Sequence, residues 1–511
     1  MRIADIRMMR EMDRLSSLTF GISGQILMEN AAMAVKRQLD LTRSYFVIVS
    51  GPGNNGGDGL ALARHLKALG KEVDVFVVTK DGNLKGDARV NFDILEKMEI
   101  SMSSVMDTEN LGFLTECVKK ADVVIDALLG TGARGPLSDL FTTVIGIIND
   151  FAKVVISVDV PSGLDADTGL PMPVAIHADK TVAFQCMKRG FLGYEAIEYL
   201  GELIVEDIGI PEAVMEIIDQ GEYLTEICDI ERILPRRGRT EYKTRYGRVL
   251  VVAGSRGFTG AALISAEAAI STGSGLVTLS SHKNVMENLV PQLREIMSLY
   301  PEELEEGVRK SDVVAFGPGL GSSEETYAML LRVIRTMEEE GRKEMTLVLD
   351  ADGLNVLQGR CEILKSLHFN VILTPHPGEM SRLTGLSPEM ISEDRIGVAR
   401  EFAKEHGIIM VLKGYHTVIT DGKSVYVNPT GSSAMAQGGM GDALTGIIAS
   451  LAGQGIDLFD AAVLGTYLHG YSGDSLSEKR YCVKASEVIR NIPFCMKRIL
   501  NSKDSGGCQS K

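Results

Sequence analysis

Ten short runs, nearly all apolar and rich in Val, Ile and Leu, recur along this chain, with helical patterns between them. In the first half they are Tyr45–Ser50, Val73–Thr79, Val123–Ala127 and Val154–Val158. In the second they are Val249–Ala253, Leu276–Ser280, Val313–Gly317, Leu347–Leu349, Val371–Thr374 and Ile409–Leu412. A strand wetted on one face alternates apolar and polar residues. A run that is apolar almost throughout is covered on both faces, as parallel strands are when helices flank them. Leu60–Leu69 and Gly260–Thr272 are among the intervening helical segments. This rhythm predicts an α/β fold built as two three-layer α/β/α domains.

The length of 511 residues accommodates two such domains. The rhythm lapses over 212–240, where a charged stretch from Pro235 to Lys243 precedes the next strand. Domains are therefore expected at 1–215 and 225–500, and the tail 501–511 is expected to be disordered. A net charge of −15 argues against a nucleic-acid partner and against an anionic membrane surface. No run approaches the ~18–20 apolar residues of a membrane span, and the start lacks the apolar core of a signal peptide. The seven cysteines are widely spaced without a CxxC pair, which reads as reduced thiols and a cytoplasmic location.

Glycine-rich loops follow several of the strands. Gly51, Gly53 and Gly56 satisfy GxGxxG, and Asp74 is expected near the end of the next strand, so the segment can be read as a dinucleotide motif or simply as a tight turn. The polar set Asn54, Asn55, Gly57 and Asp58 exceeds what a turn requires and suits hydroxyl, ribose and phosphate recognition. Asp126 leads into the loop Gly130-Thr131-Gly132-Ala133-Arg134-Gly135-Pro136, and Asp159 leads to Ser162. Asn55, Asp126 and Ser162 supply hard oxygens with few charges, which fits a monovalent cation better than Mg²⁺ or Ca²⁺.

In the second half, Gly438-Gly439-Met440-Gly441-Asp442 opens a helix. Its amides and positive dipole end suit a phosphate, and Asp442 would sit beside the transferring group. Gly422-Lys423-Ser424 lacks the leading glycine of a phosphate-binding loop and reads as a hairpin turn. Gly317–Gly321, Thr374–Glu379, Lys413–Thr417 and Asn428–Gly431 follow other strands, and together these loops read as a ribokinase-type kinase site, with Lys413 offering a cation to nucleotide phosphates. The residues alone leave open a sugar or vitamin-precursor kinase carrying a binding module, or a nucleotide-sensing scaffold. A sensor, however, needs neither Asp159 nor Asp442.

The order of the motifs adds a resemblance. Leu27-Met-Glu-Asn-Ala31, Gly51–Gly59, Asp126-Ala-Leu-Leu-Gly-Thr-Gly132 and Asp159-Val-Pro-Ser-Gly163 resemble the NAD(P)H-hydrate epimerase family over roughly 1–211. The resemblance implies a Rossmann-like fold and substrate contacts from Asn54, Asn55, Gly56, Gly57 and Asp58 and from Gly130 through Pro136. It also implies Asp159 as catalytic acid/base and K⁺ held by Asn55, Asp126 and Ser162. Gly247–Ser255, Phe258–Ala262, Gly317–Gly321, Asp350–Asn355, Thr374–Glu379, Lys413-Gly414 and Gly438–Asp442 resemble the ADP/ATP-dependent NAD(P)H-hydrate dehydratase family over roughly 225–500. This second resemblance implies a ribokinase-like fold, with Asp442 catalytic and hydrate contacts at Ala262, Gly321, His376 and Asp442. Nucleotide contacts are implied at Lys413, Gly414, Tyr415, His416, Thr417 and Gly441, with Mg²⁺ accompanying ADP or ATP. The implied substrates are hydrated NADH and NADPH, and the chain is expected to form a homo-oligomer. Two local departures, Gly431–Ala436 and Met440, remove neither a charge nor a glycine, so activity is expected to persist.

Overall fold

The computed structural model describes residues 1–504, apart from 81, 85, 109, 110 and 134. The chain divides into two compact units, Met1–Gln220 and Gly221–Lys511. Glu222–Leu224, which the sequence reading left between its two domains, is a strand that pairs with Val425–Asn428 of the second unit.

The main sheet of the first unit has seven strands, all parallel. In space they run Met102–Val105, Glu72–Val78, Tyr45–Ser50, Val123–Ala127, Val155–Val158, Lys180–Phe184 and Glu202–Glu206. The chain thus moves outward from Tyr45–Ser50 in one direction, returns to its other side at Val123–Ala127, and moves outward the opposite way. That reversal is the Rossmann-like order, and it opens a crevice at the carboxyl ends of these two central strands. Apolar residues pack on both faces of the sheet, with Ile48, Leu62 and Val35 in one layer and Val47, Val124 and Ile145 in the other. This double burial is why the central strands carry almost no polar residue.

The second unit has a ten-stranded sheet. Its strands run Glu222–Leu224, Val425–Asn428, Thr417–Thr420, Ile409–Leu412, Asn370–Leu373, Thr346–Leu349, Val313–Phe316, Arg248–Val252, Leu276–Ser280 and Met297–Leu299. Seven of these neighbour pairs are parallel, whereas Thr417–Thr420 is antiparallel to both of its neighbours. The turn at Gly422-Lys423-Ser424 is the hairpin that joins two of the antiparallel strands. The helices Thr259–Thr272 and Met440–Gly453 pack on one face, and their buried Ala266, Ala269, Ile447 and Leu451 form the centre of the core.

Two sequence readings change. The helix Ala485–Asp504 continues four residues into the segment read as a disordered tail. Ser502 Oγ donates to Glu231 Oε1 and Lys503 Nζ to the Glu231 carbonyl, which anchors that last turn. The rest of the tail, 505–511, lies outside the described residues. Asp74 occupies the amino-terminal part of its strand and accepts from Tyr45 Oη at 2.8 Å, away from the glycine loop. It is not the ribose-binding acid of a dinucleotide fold, which sits at the strand's carboxyl end.

Candidate active sites

The first site is built by three loops at the crevice of the first unit. Gly51 and Gly56 are there because the backbones touch. A Cβ on Gly51 would lie 1.8 Å from the Leu128 carbonyl, and one on Gly56 would lie 1.9 Å from the Gly51 carbonyl. The helix Asn54–Ala68 therefore starts against the Asp126–Gly130 loop.

Asn55 and Ser162 meet at Leu129, and Asp126 holds Ser162. Asn55 Nδ2 donates to the Leu129 carbonyl at 2.9 Å, and Ser162 Oγ accepts from Leu129 N at 2.7 Å. The buried Asp126 carboxylate accepts from Ser157 Oγ, Ser162 Oγ and the Ser162 and Leu128 amides. Burial raises its proton affinity and those bonds offset part of the rise. Asn55 Oδ1 is buried and has no hydrogen-bond partner. An orphaned amide oxygen of this kind normally costs stability, and a cation is one group that satisfies it. The donor set, all uncharged or hydrogen-bonded oxygens, fits K⁺.

Asp159 follows the strand Val155–Val158 with φ +62°, a left-handed conformation that aspartate tolerates better than most residues. Its Oδ1 accepts from Phe184 N at 3.2 Å and lies 2.8 Å from Lys188 Nζ. The Lys188 side chain is 1% exposed and also donates to the Phe184 carbonyl at 2.7 Å. Two further carboxyls feel Asp159. Asp58 is pushed well above the usual carboxylate range by burial and by the charges of Asp159 and Asp13. Asp13, on the helix Ile6–Phe20, is pushed up to about 6 by burial and by Asp159. Burial and the mutual repulsion of these carboxyls thus favour the protonated forms of Asp58 and Asp13, while Asp159 is the one of the three that pairs with Lys188.

Asn54 lies exposed at the rim, Gly130 packs against Asn55, and Thr131, Gly132, Ala133, Gly135 and Pro136 are partly or fully exposed. Arg134, proposed from sequence for substrate contact, lies outside the described residues. Lys188 and Asp13 were missed by the sequence reading. No local motif marks either, because each meets Asp159 only through the fold.

The second site lies at the carboxyl ends of the second sheet. Gly439, with φ +91°, turns the chain into the helix Met440–Gly453, whose first amides have no partner inside the helix. Met440, one of the departures, packs into the core. Asp442 stands in the first turn, and burial together with the Asp350 carboxylate pushes it up to about 6 despite Lys413.

Lys413 Nζ donates to Asp350 Oδ1 at 2.5 Å and lies 3.8 Å from Glu379 Oε2. Thr445 Oγ1 holds the other oxygen of Asp350 at 2.8 Å. A Cβ on Gly441 would lie 3.3 Å from Lys413 Nζ. The cation therefore sits under the glycine turn, already paired, rather than extended toward solvent. In the rest of its segment, Thr417 Oγ1 donates to the Gly414 carbonyl and Tyr415 packs on His416.

His376 caps the helix Pro377–Thr384, its Nδ1 accepting from Gly378 N and Glu379 N while Glu379 accepts from His376 N. Nε2 lies 3.4 Å from Glu379 Oε1, and burial lowers the ring's affinity for a second proton. Gly321, with φ +87°, donates to Asp352 Oδ2 at 2.7 Å, and Ala262 is buried in the first turn of its helix. The sequence had placed Asp350 in a motif without a role. Its position as the hub between Lys413, Thr445 and Asp442 comes from the structure.

The fold and the two sites define a two-domain α/β enzyme: one half has a Rossmann-like acid/base crevice, the other a ribokinase-like anion-binding turn. Residues 249–494 match the family model described as NAD(P)H-hydrate dehydratase, and residues 24–190 match that described as YjeF-related protein N-terminus. The chain is 38% identical to the bifunctional NAD(P)H-hydrate repair enzyme of Moorella thermoacetica, covering 96% of each chain. It is also 38% identical to that of Thermofilum pendens, covering 94% of this chain and 93% of the relative. A ribokinase-like superfamily protein from Enterococcus faecalis superposes with TM-score 0.50 at 29% identity, covering 55% of this chain and 97% of the other. The chain belongs to the bifunctional NAD(P)H-hydrate repair enzymes, which join an epimerase domain to an ADP/ATP-dependent dehydratase domain.

Proposed function

We propose that the first unit interconverts the R and S hydrates of NADH and NADPH at C6 and that the second removes water from the S form at the expense of ADP. The observation that carries the second half is Asp442, a carboxylate in the first turn of a glycine-led helix above the buried Lys413–Asp350 pair. Asp442 accepts the proton of the C6 hydroxyl as its oxygen attacks the terminal phosphoryl of ADP. The free amides at the helix start stabilise the charge on that phosphoryl. The C6–O bond then breaks, C5 loses a proton, phosphate leaves, and the C5=C6 double bond of NAD(P)H returns. Lys413, held by Asp350, supports the turn that carries these amides. Ala262, Gly321 and His376 are proposed to contact the hydrate, and Lys413 through Thr417 with Gly441 the nucleotide. The carboxylates Asp350, Asp352 and Glu379 that surround Asp442 electrostatically suit a Mg²⁺–nucleotide complex, in which the metal neutralises phosphate charge.

A base pushed up to about 6 gives the pH dependence its sign. Asp442 must be ionised to accept a proton, so the dehydration rate is expected to be flat above pH 7 and to fall tenfold per unit below about pH 5. A pH profile with the S hydrate and ADP checks this, and a rate independent of pH down to 4.5 contradicts it.

In the first unit, Asp159 acts as acid/base at C6, Lys188 holds it in place, and Asp58, whose burial favours its protonated form, hydrogen-bonds a substrate hydroxyl. Asn54 through Asp58 and Gly130 through Pro136 are proposed as the substrate-contacting loops. Asn55, Asp126 and Ser162 would hold K⁺, whose charge would steady the loops that carry substrate phosphate. Exchanging K⁺ for Na⁺ is expected to slow epimerisation several-fold while leaving dehydration of pure S hydrate unchanged, as followed by separating the two hydrates chromatographically. Equal rates in both salts count against the oxygen cage. A cytoplasmic homo-oligomer is part of the same reading.

A further inference from the structure

The helix Thr259–Thr272 starts on an aromatic residue that has no part in the chemistry described above. Phe258 is 62% exposed, yet its backbone is fixed. Its amide donates to the Ser255 carbonyl at 2.9 Å, and its carbonyl accepts from Ala261 N at 3.2 Å. A Cβ on Gly319 would lie 2.9 Å from the Phe258 Cβ, so the Gly317–Gly321 loop presses on the base of the side chain. Gly254 N donates to the Pro318 carbonyl at 2.8 Å and ties the two loops together. An aromatic side chain held at its base and left bare beyond it is placed to receive another flat surface.

The packing of two helices gives its height above Asp442. Thr259–Thr272 and Met440–Gly453 run side by side in the same sense. A Cβ on Gly439 would meet Ile264, one on Gly446 would meet Ala268, and Gln454 Nε2 donates to the Thr272 carbonyl. Phe258 stands six residues before Ile264. At about 1.5 Å per residue, its helix overhangs the glycine turn by about 9 Å.

The order of the strands gives its flank. Arg248–Val252 leads to Phe258, and Ile409–Leu412 leads to Lys413 through Thr417. Between them lie Val313–Phe316, Thr346–Leu349 and Asn370–Leu373. Four strand spacings of about 4.8 Å put the two outer strands about 19 Å apart. Asp350, which raises the proton affinity of Asp442, follows the middle strand. A phosphoryl group passes in line from a donor on one side to an acceptor on the other. With the nucleotide at Lys413 through Thr417, the flank at Phe258 is left to the acceptor.

Resting on that placement of the nucleotide, we propose that Phe258 forms an aromatic wall of the dehydratase site and packs on the nicotinamide-derived ring of the hydrate. In the hydrate, C5 and C6 are tetrahedral, but N1, C2, C3 and the carboxamide remain one conjugated plane. The overhang leaves room for that plane with the C6 hydroxyl at Asp442.

Phe258→Ala should raise the KM for the S hydrate about tenfold, with the KM for ADP and the melting temperature as in the wild type. Phe258→Tyr should restore the KM. The chain contains no tryptophan, so Phe258→Trp adds a single reporter to the full-length protein. NADH, which carries the reduced ring, should quench its emission saturably, whereas ADP-ribose, which carries the adenine half alone, should not. An unchanged hydrate KM in Phe258→Ala, an equal rise in the KM for ADP, or quenching by ADP-ribose as strong as by NADH overturns the proposal. Failure of the wild-type protein to dehydrate the S hydrate with ADP would instead overturn the dehydratase assignment itself, and the wall with it.

Discussion

Asp442→Ala is expected to abolish nucleotide-dependent recovery of NAD(P)H absorbance while epimerisation continues. A positioned general base contributes about 10²–10⁴-fold, or about 3–5 kcal/mol of the barrier. The loss should appear in kcat, because the carboxylate acts on the proton transferred in the transition state. The fold should survive. Asp442 is disfavoured in its ionised form by burial and by Asp350, and Lys413 keeps Asp350 as its partner after the substitution. A group whose proton affinity is raised by folding weakens the folded state at pH values above its unfolded value. Removing it at pH 7–8 should therefore leave the melting temperature unchanged or slightly higher. Dehydration near the wild-type rate in Asp442→Ala sinks the base assignment.

Asp159→Ala should leave the R hydrate to its spontaneous interconversion, a loss of about 10²–10⁴-fold, with dehydration of the S hydrate intact. This substitution is harsher on the fold, because Lys188 is 1% exposed and loses the carboxylate that lies 2.8 Å from its Nζ. Breaking a buried pair from one side typically costs about 3–5 kcal/mol. Two companions separate chemistry from folding. Asp159→Asn keeps the shape and the hydrogen bond from Phe184 N, and Asp159→Ala with Lys188→Met removes both charges. The double variant should recover stability and Asp159→Asn only part of it, since Lys188 stays charged, and neither should recover epimerisation. Undiminished consumption of R hydrate by a folded Asp159→Asn protein would refute the assignment.

How much of this was legible in the sequence follows from what each residue answers to. The central strands Tyr45–Ser50 and Val123–Ala127 fall where the apolar runs put them, because both faces are buried. The edge strands Met102–Val105 and Met297–Leu299 are short, carry serines and show no such run, so the pattern passes over them. Thr417–Thr420 and Val425–Asn428 were legible only as the two sides of a turn.

The glycine loops were visible for a local reason, since close backbone contact at Gly51 and a left-handed turn at Gly439 each demand that residue. The ion pairs that set the charges of the sites were not. Lys188 meets Asp159, and Lys413 meets Asp350, across long stretches of chain, and Asp13 reaches the first site from a helix with no motif. Sequence therefore showed which acids could act, and the fold shows what shifts their protons. In an acidic protein, the two proposed sites present backbone amides and buried lysines, Lys188 and Lys413.

The central claim is that one chain carries both activities in two separate sites. The most direct measurement follows absorbance in the NADH band after the purified protein is added to a mixture of R and S hydrates with ADP, Mg²⁺ and K⁺. The account predicts recovery that passes the amount of S hydrate present at the start and approaches the total, with AMP and phosphate formed in equal amounts. Recovery that stops at the S fraction, or a phosphorylated hydrate that accumulates without release of phosphate, would contradict it.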